Sequence, residues 1–243
     1  MSVQQKELSA WLADACRPHL VLNETQLGQL ARYLELLLQW NERMNLTAIT
    51  EPRDVYVKHF YDSLTPVFVC DFGGAQRLID VGTGAGFPGI PLKIAFPHLR
   101  LTLLDSLQKR LAFLKAVVEE LALRDVELVH GRAEEIGRDA AHREQYDVAV
   151  ARAVARLNVL AEYCLPFVRL QGVFLAMKGG QVAEEVREAA RAVRRLGGGA
   201  VQTFSFSLPD GAGERTLCTV KKERSTPPDY PRGPGVPTKK PLL

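Results

Sequence analysis

No stretch of this chain comes near the eighteen or so consecutive apolar residues that a membrane-spanning helix needs. No basic segment followed by an apolar run stands in its opening residues, MSVQQKELSAW. The expectation is a cytoplasmic protein with no membrane anchor. Cysteine is scarce: Cys16, Cys70, Cys164 and Cys218 lie far apart and form no CxxC pair, which excludes a zinc knuckle or a dithiol redox motif and leaves reduced, mostly buried thiols. The histidines are scattered, with neither HxH nor HxxxH spacing, so no metal site is expected. No GK[ST] follows a glycine-rich loop, which excludes a phosphate-binding loop of the nucleotide-hydrolase kind.

What is present suits a globular protein. With 47% hydrophobic and 24% charged residues over 243 positions, the chain has room for one large domain and an appendage. Charge is unevenly placed. Residues 221–243 hold six basic against two acidic side chains, which leaves 25 basic against 26 acidic in the rest. A near-neutral body with a basic tail suits a polyanionic partner, and equally suits a solvated terminus.

The first seventy residues read as helices. Leu27, Leu30, Leu34, Leu37 and Leu38 recur at three- and four-residue spacing, and NETQ (Asn23 to Gln26) has the form of a capping box. A further helix is expected to start at Pro52, and another around Leu8 to Cys16. From Arg77 the rhythm changes to short strands alternating with helical patterns: Arg77 to Gly82, Leu101 to Asp105, Val126 to Gly131, Tyr146 to Arg152 and Gly172 to Lys178. Helical patterns at Leu107 to Leu121 and Glu184 to Arg195 lie between and after them. Such alternation implies a parallel sheet covered on both faces. AVQTFSFSL, PDGAG and ERTLCTVKK then read as an antiparallel hairpin turning at Pro209, Asp210 and Gly211. The expected divisions are a helical extension over 1–72, a core over 73–222 and an extended Pro/Gly-rich arm over 223–243.

The sharpest chemical signal is DVGTGAGFPGIP, Asp80 to Pro91, where a hydrophobic strand runs into Gly82, Gly84 and Gly86. Glycines there permit a tight turn and close approach of a ligand to the main chain. Phe87 stands where the dinucleotide fingerprint has its third glycine, so the form is that of an S-adenosylmethionine site, whose ligand has no pyrophosphate. Asp105 ends the second strand, placed either to accept hydrogen bonds from ribose hydroxyls or to cap the helix after Ser106. In GRAEEI, Ala133 and Glu134 stand where a chain of this kind meets an adenine edge, although a Glu in a first helical turn also serves the helix dipole.

These segments, together with WNERMNLTAIT (Trp40 to Thr50), KHFYDSL (Lys58 to Leu64), LLDSLQKRLAFL (Leu103 to Leu114), VARAVARL (Val150 to Leu157) and TPPDYPRGPGVPTKKPL (Thr226 to Leu242), resemble the bacterial 16S ribosomal RNA 7-methylguanosine methyltransferases, also called glucose-inhibited division protein B. The resemblance implies a class I methyltransferase fold, a seven-stranded Rossmann-like sheet ending in an antiparallel hairpin, with a helical N-terminal extension. It implies S-adenosylmethionine as methyl donor, a guanine of 16S ribosomal RNA as acceptor, and the free RNA or the 30S particle as partner. The family's cofactor contacts fall on Gly82, Phe87, Asp105, Ser106, Ala133, Glu134 and Arg152, with Gly84 beside them in the loop.

Guanine nitrogen 7 carries an unprotonated in-plane lone pair, so its methylation needs alignment and no general base. The residues that other methylations need are missing. ARAVAR follows strand four where amine methylation uses [DN]PP[YF], TPPDY is displaced into the tail, and Cys164 lies in an apolar helical pattern. Arg152, at the end of strand four, is the candidate catalytic residue, placed for the cofactor carboxylate, a guanine acceptor atom or a surface ion pair. Lys178 is a candidate for an RNA phosphate, and Asn45 and His59 for the guanine pocket. The tail basics, Arg100, Lys109, Arg110 and Arg156 are available for phosphates, and Phe60, Phe87 and Tyr230 for stacking on bases. Competing readings are a methyltransferase for protein or a small molecule, an RNA-binding module with a vestigial site, and a nicotinamide dehydrogenase, which the GxGxG spacing and the hairpin disfavour. Nothing demands more than a monomer.

Overall fold

A computed structural model describes residues 2–152 and 155–243. Ala153 and Val154, in the middle of ARAVAR, lie outside the described residues. The chain opens with α1 (Val3–Cys16) and α2 (Glu24–Met44). The expected capping box is present, Asn23 accepting from the Gln26 backbone at 3.0 Å while the Gln26 side chain accepts from the Asn23 N–H at 2.8 Å. Pro52 begins the next helix as expected, after Glu51, whose carboxylate accepts from Asp54 N–H. That helix is not uniform: α3 (Pro52–Val55) passes into a π-helical turn (Tyr56–Tyr61) and then α4 (Asp62–Leu64). Periodicity does not announce the wide turn, a local distortion common at functional sites.

The sheet runs β3-β2-β1-β4-β5-β7-β6. β1 (Arg77–Val81), β2 (Arg100–Asp105), β3 (Val126–His130), β4 (Tyr146–Arg152) and β5 (Val168–Gly179) are parallel. β6 (Gly198–Ser207) and β7 (Glu214–Lys222) form the antiparallel hairpin. Strand β5 starts earlier than its apolar run indicates, because Gln171 at φ 67° breaks the pattern without ending the strand. Between strands stand α5 (Gly89–Ala95), α6 (Gln108–Glu120), α7 (Ala133–Ile136), α8 (Leu157–Cys164) and α9 (Ala183–Arg195).

Two apolar cores cover the sheet's faces. One joins α1, α2, α5 and α6 to β1 and β2, so the N-terminal helices pack directly on the core. Gln26 ties α2 to the end of α5 by donating to the Ile94 and Ala95 carbonyls at 2.9 and 3.0 Å. The other joins α8 and α9 to β4 and β5 and takes in Leu242. The order reverses between β1 and β4, where Asp80 pairs with Val150, and an open α/β sheet places its ligand crevice at the strand ends beside such a reversal.

The segment after β7 departs from the extended arm expected of its prolines and glycines. Regular structure is indeed sparse, limited to α10 (Val236–Lys239), but the segment is bound to the core. Its carbonyls accept from Arg138 and Arg143, and Arg232 pairs with the buried Glu162 at 2.6 Å. A chain that cannot pair its own backbone groups has them satisfied by arginine forks from α7 onward. No helix among the described residues is long and apolar enough to cross a membrane.

Candidate active site

The turn after β1 is held by side chains that flank it. Asp80, fully buried, accepts from the Thr83 hydroxyl at 2.7 Å and the Gly89 N–H at 2.8 Å, clamping both ends of the loop. Burial pushes its carboxyl up to about 6, against the pull of those two donors and of Arg152. Gly86 has φ 94°, and a Cβ there would stand 2.5 Å from the Tyr33 hydroxyl and 2.8 Å from Ile90, so only glycine fits against α2. Gly84 differs: at φ 62° it has no atom within 4 Å of a Cβ position, so this part of the loop faces open space.

Gly82, Thr83, Gly84, Phe87, Asp105 and Ser106 line a cleft of about 490 Å³, together with Thr47, His59 and Arg152. Asp105 accepts from Gly84 N–H and Leu107 N–H, both at 2.9 Å, and from Arg110 at 3.2 Å. The alternatives left open for Asp105 coexist in part. It closes a turn before α6, yet it also borders the cleft beside the glycine loop. Gly82, Asp105 and Ser106 are shared with an adjoining pocket of about 230 Å³ that includes Ala133, Glu134, Tyr163 and Thr238. All the cofactor residues expected from sequence therefore line one continuous pair of cavities.

Arg152 and His59 are shared with another cleft, of about 610 Å³, whose other side chains include Lys58, Arg156, Lys178 and Arg215. Arg152 is no surface ion pair. Its Nη1 donates to Asp62 Oδ2 at 3.1 Å and to the Lys58 carbonyl, and its guanidinium stands 5.1 Å from the Phe87 ring centre. Asp62 is almost wholly buried and also faces Arg215 Nε at 3.3 Å. Burial pushes the Asp62 carboxyl up while the two arginines pull it down.

His59 has both ring nitrogens engaged. Nδ1 lies 3.3 Å from Arg152 Nη2, which can only donate, so Nε2 carries the hydrogen and donates to Thr47 Oγ1 at 2.9 Å. Burial, helped by the Arg152 charge, lowers its pKa to about 3, so the ring is neutral at physiological pH. Its ring stacks on Phe87 at 4.5 Å, and Phe87 in turn stacks on Tyr33 at 5.3 Å.

Several sequence expectations do not meet at this site. Asn45 is exposed and serves as the left-handed C-cap of α2; Thr47 takes the place expected for it. Phe60 is fully buried, and Phe87 packs beneath the loop, so neither offers a free face for a base. Arg100 starts β2 at the opposite end of the sheet. Arg232 and the buried Lys222 are spent on Glu162 and Glu144, which shrinks the tail's basic surface. Thr47, Lys58, Asp62 and Arg215 went unrecognised as site residues. Lys58 and Asp62 lie in the KHFYDSL motif, but only the fold brings them to Arg152.

A family model described as rRNA small subunit methyltransferase G, GidB, matches residues 26–216. The chain is similar to the ribosomal RNA small subunit methyltransferase G of Staphylococcus aureus strain Newman, 52% identical over 96% of this chain and 98% of that protein. The protein of the same name from Brevibacillus brevis is 51% identical over 91% of this chain and 93% of its own. Among solved structures, an O-methyltransferase from Bacillus cereus in complex with S-adenosylhomocysteine covers 88% of this chain and all of its own, with TM-score 0.57 and 18% identity, a likeness of fold.

Proposed function

Because the chain belongs to the GidB family, the rRNA small subunit methyltransferases G, we propose that it transfers a methyl group from S-adenosylmethionine to nitrogen 7 of a guanine in 16S ribosomal RNA. The observation that carries this is the wall shared by two clefts: His59 and Arg152 separate the glycine-loop cleft from the basic one. One side suits a nucleoside with an amino-acid tail, the other a polyanion.

The residues fit the cofactor. Gly84 leaves its face of the loop open, Asp105 puts a carboxylate beside that opening, and Ala133 and Glu134 border the pocket that continues from it. Gly82, Gly84, Phe87, Asp105, Ser106, Ala133, Glu134 and Arg152 would hold it. When bound, it supplies a methyl group made electrophilic by its sulfonium.

The chain's own task is alignment. Guanine nitrogen 7 needs no deprotonation, and both ring nitrogens of His59, the histidine of the site, are engaged. Arg152 is the catalytic residue of this reading: beyond its bonds to Asp62, the Lys58 carbonyl and His59 it keeps N–H groups that suit the guanine O6 while nitrogen 7 is left free to attack. Orientation of this kind can supply about 7–11 kcal/mol. Lys58, Arg156, Lys178 and Arg215, which pair with Asp54, Glu188, Glu185 and Asp62 in the free protein, would exchange those carboxylates for phosphates, so RNA affinity should fall steeply with salt. In this scheme the helical extension, residues 1–72, supplies one wall of the acceptor cleft, and the core, residues 73–222, supplies the cofactor loop. A monomer working in the cytoplasm completes the proposal.

The test is transfer of labelled methyl from S-adenosylmethionine to undermethylated small-subunit ribosomal RNA, free and in the 30S particle, followed by nuclease digestion. Labelled 7-methylguanosine is expected. Cofactor binding with no labelled RNA base would reject the acceptor.

A further inference from the structure

The tail reaches the site. Beyond Arg232, which the buried Glu162 holds by its N–H at 2.8 Å and by its guanidinium, the chain passes directly over α7 and α8. Glu134, only 3% exposed, accepts from the Gly235 N–H at 2.8 Å. The Tyr163 hydroxyl meets Thr238 Oγ1 at 2.8 Å, and Asn158 Nδ2 donates to the Leu242 carbonyl at 2.9 Å. Thr238 and Tyr163 line the pocket that continues from Asp105 past Ala133 and Glu134. The tail thus closes a cavity whose other side is the cofactor loop.

We propose that the tail is the outer wall of the adenine pocket, with Thr238 and Tyr163 as positioning residues and the Gly235 N–H holding the Glu134 carboxylate in place. This rests on the cofactor reading above and adds to it a role for the basic tail, whose composition alone points only to RNA. A flat purine needs two faces to exclude water, and the core lines this pocket with Val81, Leu104 and Ala133 while the tail adds Thr238. The wall that completes the slot comes from residues 75 and 101 positions farther along the chain than their partners. Tail docking and cofactor binding then strengthen each other by the same factor, because linkage between two equilibria is reciprocal.

The experiment is calorimetric titration of the full chain with S-adenosylhomocysteine, with no RNA present. Thr238 is exposed, so its replacement does not threaten the core. Thr238→Trp should lower affinity at least about tenfold by filling the slot, Tyr163→Phe about two- to fivefold, and Thr238→Ser should bind like the parent. Saturating ligand should also slow tryptic cleavage after Lys239 by about the factor that linkage requires. A parent that binds the ligand and a Thr238→Trp protein that binds it equally well would overturn the wall alone. A parent that binds none would overturn the cofactor reading and the wall with it.

Discussion

Arg152 and Asp62 form an ion pair of 3.1 Å in which the carboxylate is the more buried partner, 4% exposed against 15% for the arginine. Asp62 comes from the helical extension and Arg152 from the end of β4, so the pair fastens two parts of the molecule at the shared wall of both clefts. Asp62→Ala leaves Arg152 and Arg215 without their common carboxylate. Breaking a buried pair costs about 3–5 kcal/mol, read as a fall in the denaturant midpoint. An unchanged midpoint would mean that the Lys58 carbonyl and His59 hold Arg152 unaided. Arg152→Ala breaks the same pair, so it is expected to lower the midpoint by a comparable amount while still folding, and to abolish methyl transfer.

The loop glycines should separate in their effects. Gly86→Ala forces a methyl against Tyr33, Ile90 and Leu114 at positive φ, a loss of about 2–4 kcal/mol by thermal unfolding. Gly84→Ala meets nothing and carries only the backbone penalty of about 1–2 kcal/mol. Its damage should appear in S-adenosylhomocysteine affinity. Equal losses of stability in the two variants would contradict this division of labour.

Asp105→Ala should weaken S-adenosylhomocysteine binding about ten- to a hundredfold, the worth of a charge-assisted hydrogen bond. Arg110, more than a third exposed, is the partner that can swing away when a ribose arrives, so Arg110→Gln should change affinity by no more than about twofold. A larger loss on removing Arg110 would place it in the cofactor's own contacts.

His59 makes a pH prediction. Its folded value of about 3 lies below the usual 6.5, so between these the unfolded chain binds a proton that the folded chain refuses. Stability is therefore lost as pH falls through that window, by up to about 1.4 kcal/mol per unit. Asp80, raised to about 6, acts in the opposite sense below that pH because there the folded chain takes the extra proton. Comparison with His59→Gln isolates the histidine: from about pH 7 to about pH 5 the variant's melting temperature should fall less than the parent's. Parallel curves would show that the folded protein accepts the proton on His59.

What was legible in the sequence was what lies close together along it. The five parallel strands and the closing hairpin announce themselves as β-branched and leucine-rich runs, and Gly82, Gly84 and Asp105 sit at strand ends where topology assigns ligands. The acceptor side was less so. Thr47, Asp62 and Arg215 belong to a loop, a helix and a hairpin strand, and nothing local marks them as neighbours of Arg152. The tail misled for a related reason: its prolines rule out regular pairing, but they say nothing about arginines elsewhere waiting to satisfy its carbonyls.

The tail's fastening also sets an order of events during synthesis. Domains emerge and fold from the N-terminal side at about 5–20 residues per second. The glycine loop and Asp105 are therefore synthesised roughly several seconds before Gly235 and Thr238, which later meet Glu134 and Tyr163. A nascent chain would own a cofactor loop with one side missing until Gly235 and Thr238 dock on Glu134 and Tyr163.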